Sequence, residues 1–393
     1  MLRCYNRFLW ARYQLETIRE LPKEKDILAQ LTKLPRGLEN TYIHILEKIR
    51  GFHPEKSSWA YRTLRWLLSA TRPLKQEEII MLSAIKPLDT EFREQELVPL
   101  EFLVSACGNL VYHDKAQHVL RFVHFSVKEF LMRQPEFEDS EGFVADVCFT
   151  ILGFSQERDQ LKTYAACNWP HHARRWREIN DDRSTLIKRF LLAPSRVEEW
   201  VKIAKEEKEG LNGWDSAWPP QPPTWTGAIG VCSAFNVPIV LDHLLRRNTE
   251  YSERAFPELV SAALLLAAAG GHIDVARLLI DAGANMCWAS NCGVDLRLDW
   301  RTGYGVGVEV YSIIRNDSPA TALQAAAGGG HAAMVALLLS KDADINEPGD
   351  LHVPRDQWGR DKVRSDRDLG ITAMDTLLTL CRYPAKRHCR QHA

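Results

Sequence analysis

Few side chains in this chain stand at the spacing that a catalytic or metal site requires. Cys167 lies near His171 and His172, which are residue types that bind metal ions. No second Cys or His pair follows at ligand spacing, so the chain carries no metal signature. The neighbouring Trp169 and Arg174 instead predict a packed aromatic helix end with solvated cations. No Gly-x-Ser-x-Gly motif or Cys/His pair indicates a nucleophile, and we expect no catalytic residue and no metal.

A phosphate-binding motif is also missing. The P-loop, GxxxxGK[ST], cradles phosphates with its backbone N–H groups and reaches phosphate and magnesium with its Lys and Ser/Thr side chains. No string of this form occurs in the sequence. We therefore predict no NTP hydrolysis and no bound cofactor.

The C-terminal half contains two segments built on one plan. Residues 262–285 read AALLLAAAGGHIDVARLLIDAGAN, and residues 321–346 read TALQAAAGGGHAAMVALLLSKDADIN. Each predicts a helix of small residues, a Gly-His turn, a Leu-rich helix and a Gly/Asp-Ala-Asx loop. This pattern resembles the ankyrin repeat, whose units stack into a solenoid that binds other proteins.

The repeats are irregular. An earlier unit, AIGVCSAFNVPIVLDHLLRRN, has Asn236 to Pro238 in place of the Gly-Gly-His turn. A long loop from Asn291 to Asn316 separates the two clear units, and a fourth unit opens at Gly370 to Asp375 without completing its second helix. Thr321 is placed to cap a helix, and Gly271 and Gly330 stand where the chain must reverse, which glycine permits through a positive φ.

The whole-chain composition favours an intracellular protein. The 393 residues carry a net charge of −1 and nine cysteines without a CxxC pair. These values predict free thiols in the cytoplasm and no general attraction to nucleic acid or anionic membrane. The N-terminus lacks the apolar region of a signal peptide, and no apolar run is long enough to cross a bilayer.

The N-terminal third predicts amphipathic helices followed by two strands. The helical patterns are Phe8 to Ile18, Tyr42 to Ile49, Trp59 to Leu68 and Gln76 to Ile85. A further apolar helix, Leu100 to Val111, runs through Gly108 into a strand, and helix resumes at Ser126 after the strand VLRFVHF. Helices followed by a two-stranded wing predict a winged-helix domain.

A winged helix can bind DNA, but the charges here oppose it. A recognition helix normally presents Lys, Arg and Asn to the duplex. The candidate helix, Arg93 to Ala106, carries Glu94, Glu96 and Glu101. Because these carboxylates would face phosphate, the sequence predicts no nucleic-acid partner.

A second resemblance covers most of residues 1–385. RFLWARYQLETI, LPRGLENTYIHILEKI, YRTLRWLLSATRPLKQEEI and FVHFSVKEFL resemble the segments that follow the NTPase core in fungal NACHT–ankyrin proteins. YAACNWPHHARRW and FLLAPSRVEEWVKI resemble the helical spacer before their repeats. These proteins are related to the NLR immune sensors, within the STAND class of signalling ATPases. The resemblance implies that the chain begins where the NTPase module would end, as part of a split or truncated gene or as a freestanding product.

The resemblance also singles out His124. In related sensors the winged-helix histidine of this motif contacts the β-phosphate of bound ADP and holds the protein closed. His124 would bind nucleotide only together with an NTPase module, since one hydrogen bond is worth only about 1.5–3 kcal/mol. The other interpretation, a histidine bonded within the wing, stays open.

The predicted fold class is mostly α, with a winged-helix-like domain, a helical spacer and a short, irregular ankyrin solenoid. The predicted boundaries are 1–138, 139–222 and 223–385, with a basic tail at 386–393. The predicted function is protein recognition without catalysis; the alternatives are a regulatory part of a nucleotide-switched ATPase and a decayed gene fragment. Ankyrin stacks bind partners through their loop tips and first helices, which nominates Asn285, Trp288, Trp300, Tyr304, Asp344 and Asn346.

Overall fold

The computed structural model describes residues 38–155, 159–210, 227–247, 256–286 and 321–345. The chain divides into two compact units, Met1–Tyr164 and Ala165–Ala393. The described residues are mostly helical, which confirms the predicted fold class. No helix among them is both long enough and apolar enough to cross a membrane. The predicted helix Phe8 to Ile18 lies outside the described residues, as do the insertion 291–316 and the incomplete repeat at Gly370.

The first unit begins with three helices in succession. They are α1 (Leu38–Arg50), α2 (Pro54–Ser69) and α3 (Gln76–Ala84). Pro54 at the start of α2 suits a position where no backbone donor is needed. The Glu78 carboxylate accepts a 2.9 Å bond from the Lys75 N–H group and fixes the start of α3. Arg72 donates to both oxygens of Glu78, at 2.8 and 2.6 Å, so the turn between α2 and α3 is tied to the helix that follows.

A two-stranded antiparallel wing follows the helix α4 (Leu100–Ala106). Strand β1 (Val111–Asp114) pairs with β2 (Val119–Phe122), with Val111 opposite Phe122 and Asp114 opposite Val119. Gly108 and Asn109 adopt positive φ values of 61° and 60°, which turn the chain from α4 into β1. Helix α5 (Phe125–Leu131) leaves β2 directly.

The expected recognition helix, Arg93 to Ala106, is wrong as a single element. A 3-10 turn covers Glu94–Glu96, and α4 begins only at Leu100. Pro99 explains the break, because a proline forces the residue before it into extended backbone and lacks the N–H group of a helix interior. Among the described residues, the acidic side chains of this segment are therefore divided between two short elements.

Helix α2 lies at the centre of the first unit. It packs against α3, α4 and α6 (Ser140–Leu152). Its Trp66 is fully buried, donates its indole N–H to Leu82 O at 3.2 Å and meets the ring of Tyr164 edge-on at 5.4 Å. The buried indole therefore has a polar partner as well as an apolar environment.

The second unit contains a cluster of aromatic rings. Helix α7 (Asp159–Ala173) supplies Trp169, α8 (Asp181–Phe190) supplies Phe190, and α9 (Pro194–Gly210) supplies Trp200. Phe235 joins them, with its ring centroid 5.4 Å from that of Trp200. The predicted packed aromatic end is present around Trp169, whose ring is fully buried.

Arg174, one of the cations expected to be solvated at this end, is exposed but also makes specific hydrogen bonds. Its guanidinium Nε donates to Phe235 O and Asn236 O at 3.0 Å each, and its Nη2 donates to Phe235 O at 2.6 Å. A guanidinium offers several donors in one plane, and two neighbouring carbonyl oxygens accept from it here. Arg174 therefore joins the helical spacer to the turn of the first repeat.

Three helix pairs lie among the described residues of the repeat region in the second unit. They are α10 (Gly227–Ala234) with α11 (Pro238–Arg246), α12 (Phe256–Gly270) with α13 (Ile273–Asp281), and α14 (Ala322–Gly328) with α15 (Ala332–Ser340). Helix α12 packs between α10 and α14, and the second helices contact one another in the same order. The alanine runs 267–269 and 325–327 are buried, as expected for first helices that let neighbouring units approach closely.

Candidate functional site

The three repeat units share one turn geometry. Asn236, Gly271 and Gly330 adopt positive φ values of 52°, 69° and 72° at the same point of each unit. The next residue in each case, Val237, His272 or His331, donates its backbone N–H to a carbonyl five residues earlier at 2.9–3.0 Å. This is the Schellman arrangement, which ends a helix with a left-handed residue. The expectation that Asn236 to Pro238 replace the Gly-Gly-His turn is shifted by one residue: Phe235 to Val237 occupy that turn, with Asn236 in the place of Gly271, and Pro238 already begins α11.

A histidine bond joins each clear unit to the unit before it. His272 Nε2 lies 3.1 Å from Ala234 O, and His331 Nε2 lies 2.9 Å from Ala269 O. Since a carbonyl oxygen can only accept, each ring donates its Nε2–H group to the end of the preceding first helix. A Cβ atom on Gly271 would lie 2.6 Å from His331 Nδ1, so the glycine also makes room for this ring.

Arg174 makes a different link ahead of the first unit, from the spacer forward to the turn after α10. It bonds to the carbonyls of Phe235 and Asn236, beside the turn that ends α10. No local sequence pattern predicts this link. The first unit lacks the Gly-Gly-His turn, and the spacer before it carries an arginine. Together these two features are the signal from which the link could have been predicted.

Thr321 begins the third unit as the sequence predicts. Its hydroxyl accepts from the Gln324 N–H group at 3.3 Å, and the Gln324 side chain accepts from the Thr321 N–H group at 2.9 Å. These reciprocal bonds form a capping box that satisfies two helix-terminal donors.

The bases of the loops that follow the second helices are fixed. Ala284 N–H donates to Leu279 O at 3.0 Å, and Asn285 N–H donates to the Ser261 hydroxyl at 2.8 Å. In the third unit, Ala343 N–H donates to Leu338 O at 3.1 Å. The positions before Ala284 and Ala343 have positive φ values, 91° at Gly283 and 65° at Asp342. The two loops therefore leave their helices with the same geometry.

Two of the nominated partner-binding residues lie among the described residues. Asn285 and Asp344 are both exposed, one on each of these loops. Trp288, Trp300, Tyr304 and Asn346 lie outside the described residues. The structure thus presents the first residues of two tips, and partner binding by all six stays a prediction.

His124 lies at the start of α5, at the end of the wing. Its Nδ1 accepts from the Ser126 N–H group at 3.2 Å and lies 2.7 Å from the Ser126 hydroxyl. That hydroxyl also lies 2.9 Å from the Tyr42 hydroxyl of α1. Because Nδ1 accepts from a backbone N–H group, the neutral ring carries its proton on Nε2. A ring of this tautomer can donate to a phosphate oxygen.

Comparisons with known proteins agree with the two domain types. The family model described as the winged helix domain of GPI inositol-deacylase matches residues 53–144. The ankyrin repeat model matches residues 262–291 and 320–350. No solved structure matches the chain. The predicted winged helix and ankyrin repeats are therefore confirmed.

Two curated fungal proteins are similar to the chain. The vegetative incompatibility protein HET-E-1 of Podospora anserina is 30% identical over 127 residues, which cover 32% of this chain and 9% of that protein. The azaphilone pigments biosynthesis cluster protein L of Monascus ruber is 25% identical over 297 residues, 65% of this chain and 61% of that protein. The chain spans less than two thirds of either relative. A winged helix with ankyrin repeats, together with these relatives, supports the resemblance to the C-terminal portion of a fungal NACHT–ankyrin protein.

Proposed function

We propose that this chain is the recognition portion of a STAND-type signalling protein and binds a protein partner through its ankyrin units. Ankyrin repeats generally mediate contacts between proteins, and both domain types are non-catalytic folds. The observation that carries the proposal is the unbroken series of links from Arg174 through His272 to His331. These links set the units against one another, which supports the proposal that the loops beginning at Asn285 and Asp344 belong to one partner-binding surface.

The proposed surface consists of the loop tips after the second helices and the insertion between the clear units. Asn285 and Asp344 are its described members, and both are exposed. Trp288, Trp300, Tyr304 and Asn346 extend it by sequence position. A polar rim beside aromatic side chains suits a protein surface, where aromatic residues commonly supply much of the binding energy.

The division of labour follows from the proposed domains. Residues 1–138 would dock on an NTPase module, 139–222 would act as spacer, and 223–385 would select the partner. The name of the Podospora anserina relative places that protein in vegetative incompatibility. By that likeness we propose fungal self/non-self recognition, or a similar signalling role, as the setting.

A capture experiment tests the partner-binding surface. The full chain is immobilised, exposed to a fungal lysate, and compared with the double variant Asn285→Lys/Asp344→Lys by quantitative mass spectrometry. The matched control is Arg277→Ala, an exposed position on the second helix α13. We expect a captured protein that the double variant loses and the control keeps. Equal capture by all three chains would refute the proposed surface.

The second candidate function is regulation of a nucleotide-switched ATPase, which the geometry of His124 favours. Its Nδ1 is occupied by Ser126, so Nε2–H is the atom that would donate to the phosphate of bound ADP. One charge-assisted bond is worth about 1.5–3 kcal/mol, which corresponds to roughly 10- to 100-fold in affinity.

Retention of labelled ADP tests this second candidate. The chain is mixed with the NTPase module of a fungal NACHT protein, and nucleotide release is followed for wild type, His124→Leu and the exposed control His53→Leu. Faster release from His124→Leu alone would support a nucleotide contact. The same release rate from all three mixtures would leave His124 as a histidine bonded only within the wing.

A further inference from the structure

The third repeat unit carries a hydrogen-bond acceptor that the two earlier units use and this one does not. Ala234 O accepts from His272, and Ala269 O accepts from His331. Each of these carbonyls lies two residues before the positive-φ residue of its unit, and Gly328 has the same position in the third unit. Among the described residues, no donor is bonded to Gly328 O. This carbonyl at the end of α14 is therefore available to a group that docks beside it.

The space beside that carbonyl is filled in the second repeat unit and open in the third. A Cβ atom on Gly271 would lie 2.6 Å from Nδ1 of His331, because the ring of the following unit occupies this space. Gly330 is the equivalent residue and has nearly the same φ, 72° against 69°. Apart from its chain neighbours, no heavy atom of the described residues would lie within 4 Å of a Cβ atom on Gly330. The third unit thus offers both the acceptor and the space that a further unit would use.

Helix α14 is buried although the described residues place a first helix on only one side of it. Helix α12 packs between α10 and α14, whereas α14 packs against α12 and against α15 of its own unit. Every residue from Ala322 to Ala327 is nevertheless buried. Burial to the same extent as in α12, which has a first helix on both sides, supports a further helix beyond α14.

We propose that residues 370–382 of the same chain dock on this end of the repeat stack. Their sequence, GITAMDTLLTLCR, lies outside the described residues and places Thr372 in register with Thr321. His331 follows Thr321 by ten residues (331 − 321), and Arg382 follows Thr372 by the same number (382 − 372). Arg382 therefore has the sequence position of the histidine that reaches back to the preceding unit.

A guanidinium group can make the bond that the histidines make. Arg174 donates to Phe235 O and Asn236 O at the turn after α10, so the repeat region already accepts an arginine at the end of a first helix. A guanidinium has five N–H donors and stays charged at neutral pH. Arg382 can therefore donate to Gly328 O whatever the protonation state of the surrounding histidines.

The remainder of the segment suits a single helix against α14. Its apolar residues recur at helical spacing, which predicts an amphipathic helix; they are Met374, Leu377, Leu378 and Cys381. Leu380 and Cys381 stand in place of Gly329 and Gly330, so the sequence does not predict a second Gly-Gly turn. Docking of this helix would continue the packing order of α10, α12 and α14.

Amide hydrogen exchange of the full chain tests this docking. We expect Arg382→Met to speed exchange of the bonded amides in residues 325–331 about tenfold, the effect of one lost hydrogen bond to a charged group. The amides of residues 228–234 in α10 should keep their rates. The matched control is Arg387→Met, which removes the same charge at a position out of register with His331.

Two results would overturn the proposal. One is an equal acceleration in both variants, or none in Arg382→Met. The other is protection of residues 325–331 that rises with protein concentration, because a second copy of the chain would then supply the docking segment.

A double-mutant cycle locates the bond at the open turn. Gly330→Ala places a methyl group in the space described above and also strains the backbone, because φ is positive there. The strain is common to both sides of the cycle and cancels, so the shifts in urea unfolding midpoint add when the two residues do not interact. We expect the double variant Gly330→Ala/Arg382→Met to shift by less than the sum of the single shifts. Additive shifts would refute a contact between Arg382 and this turn.

These measurements are independent of the proposed function. They need only this chain and no partner protein. Their failure would leave the proposed partner-binding surface untouched, and failure of the capture experiment would leave the docking of residues 370–382 untouched.

Discussion

At the residue scale, single side chains decide where the helices of the repeats begin and end. Thr321 begins α14 through its reciprocal bonds with Gln324, and positive φ values end the helices at Gly271, Gly283, Gly330 and Asp342. The position after the second helix is thus filled by a glycine, Gly283, in one unit and by an acidic residue, Asp342, in another. The cost of these choices can be measured one residue at a time.

Thr321→Ala removes the hydroxyl that accepts from the Gln324 N–H group. We expect a loss of about 1 kcal/mol in the free energy of unfolding, the usual cost of deleting a helix N-cap. Urea unfolding followed by circular dichroism measures it. Thr321→Ser keeps the hydroxyl and is the control; a serine variant as unstable as the alanine variant would show that the cap is not the cause.

Asp342 and Gly283 occupy the same position in two different repeat units. Both follow a second helix with positive φ, 65° and 91°, a conformation that costs a residue with a side chain more than it costs glycine. We expect Asp342→Gly to raise the free energy of unfolding by up to about 1 kcal/mol and Gly283→Ala to lower it by about 1 kcal/mol. Urea unfolding midpoints check both. Changes of the same sign in the two variants would contradict this account.

His272 makes the repeat region sensitive to acid. Burial lowers the pKa of its ring, the bond to Ala234 O opposes the shift, and the charges of Arg174 and His331 lower the pKa further. Because the unfolded ring has the higher pKa, it takes up a proton first as the pH falls. Stability is therefore lost as the pH is lowered through the ordinary value of 6.5.

Unfolding in urea at pH 7.5 and pH 5.5 measures this effect in wild type and in His272→Gln. The glutamine amide can still donate to Ala234 O but does not titrate in this range. We expect a smaller loss of stability on acidification in the variant. The same loss in both proteins would rule out His272 as the source.

At the element scale, the spacer and the first repeat are joined by Arg174. Three hydrogen bonds reach the carbonyls of Phe235 and Asn236 from one guanidinium. Among the described residues the first unit follows the spacer and not another repeat, and this arginine links it to the spacer as the histidines link the later units to one another. The spacer thereby supports the start of the repeat stack.

Arg174→Met tests this support. The substitution leaves two carbonyl oxygens without these donors, and we expect a loss of about 1–2 kcal/mol in the free energy of unfolding. Arg175→Met removes an equal charge from the next residue, which is also exposed, and should change stability little. Equal destabilisation by both variants would indicate a general charge effect instead of a specific bond.

The elements that the sequence predicted well are those with a strong local pattern. The Leu-rich second helices, the Gly-Gly-His turns and the Thr321 cap were each visible in a few neighbouring residues. Pro99 is also evident in the sequence, but the predicted helix from Arg93 to Ala106 runs through this proline. The structure breaks the segment there. The Arg174 link could not be predicted, because it joins residues that are far apart in the chain and come together only through helix packing.

At the scale of the whole molecule, charge limits the range of partners. The net charge is −1, and the segment before the wing carries Glu94, Glu96 and Glu101 against Arg93. The break at Pro99 also leaves α4 with only seven residues. Both features oppose insertion of a helix into the major groove.

Gel retardation on duplex DNA tests this at low and at physiological salt. We expect no shifted band at either ionic strength, because a protein that binds the phosphate backbone gains affinity steeply as salt is lowered. A band that strengthens at low salt would contradict this expectation. It would show that a basic surface lies elsewhere in the chain, because the described residues around α4 do not form one.

The two histidine links between repeat units run in one direction. His272 and His331 each reach back to a carbonyl that precedes them in the chain, whereas Arg174 in the spacer precedes the carbonyls that it binds. During translation, each of these histidines emerges from the ribosome after its acceptor has already been synthesised. The stack can therefore assemble from its N-terminal end while the chain is still growing, one unit at a time.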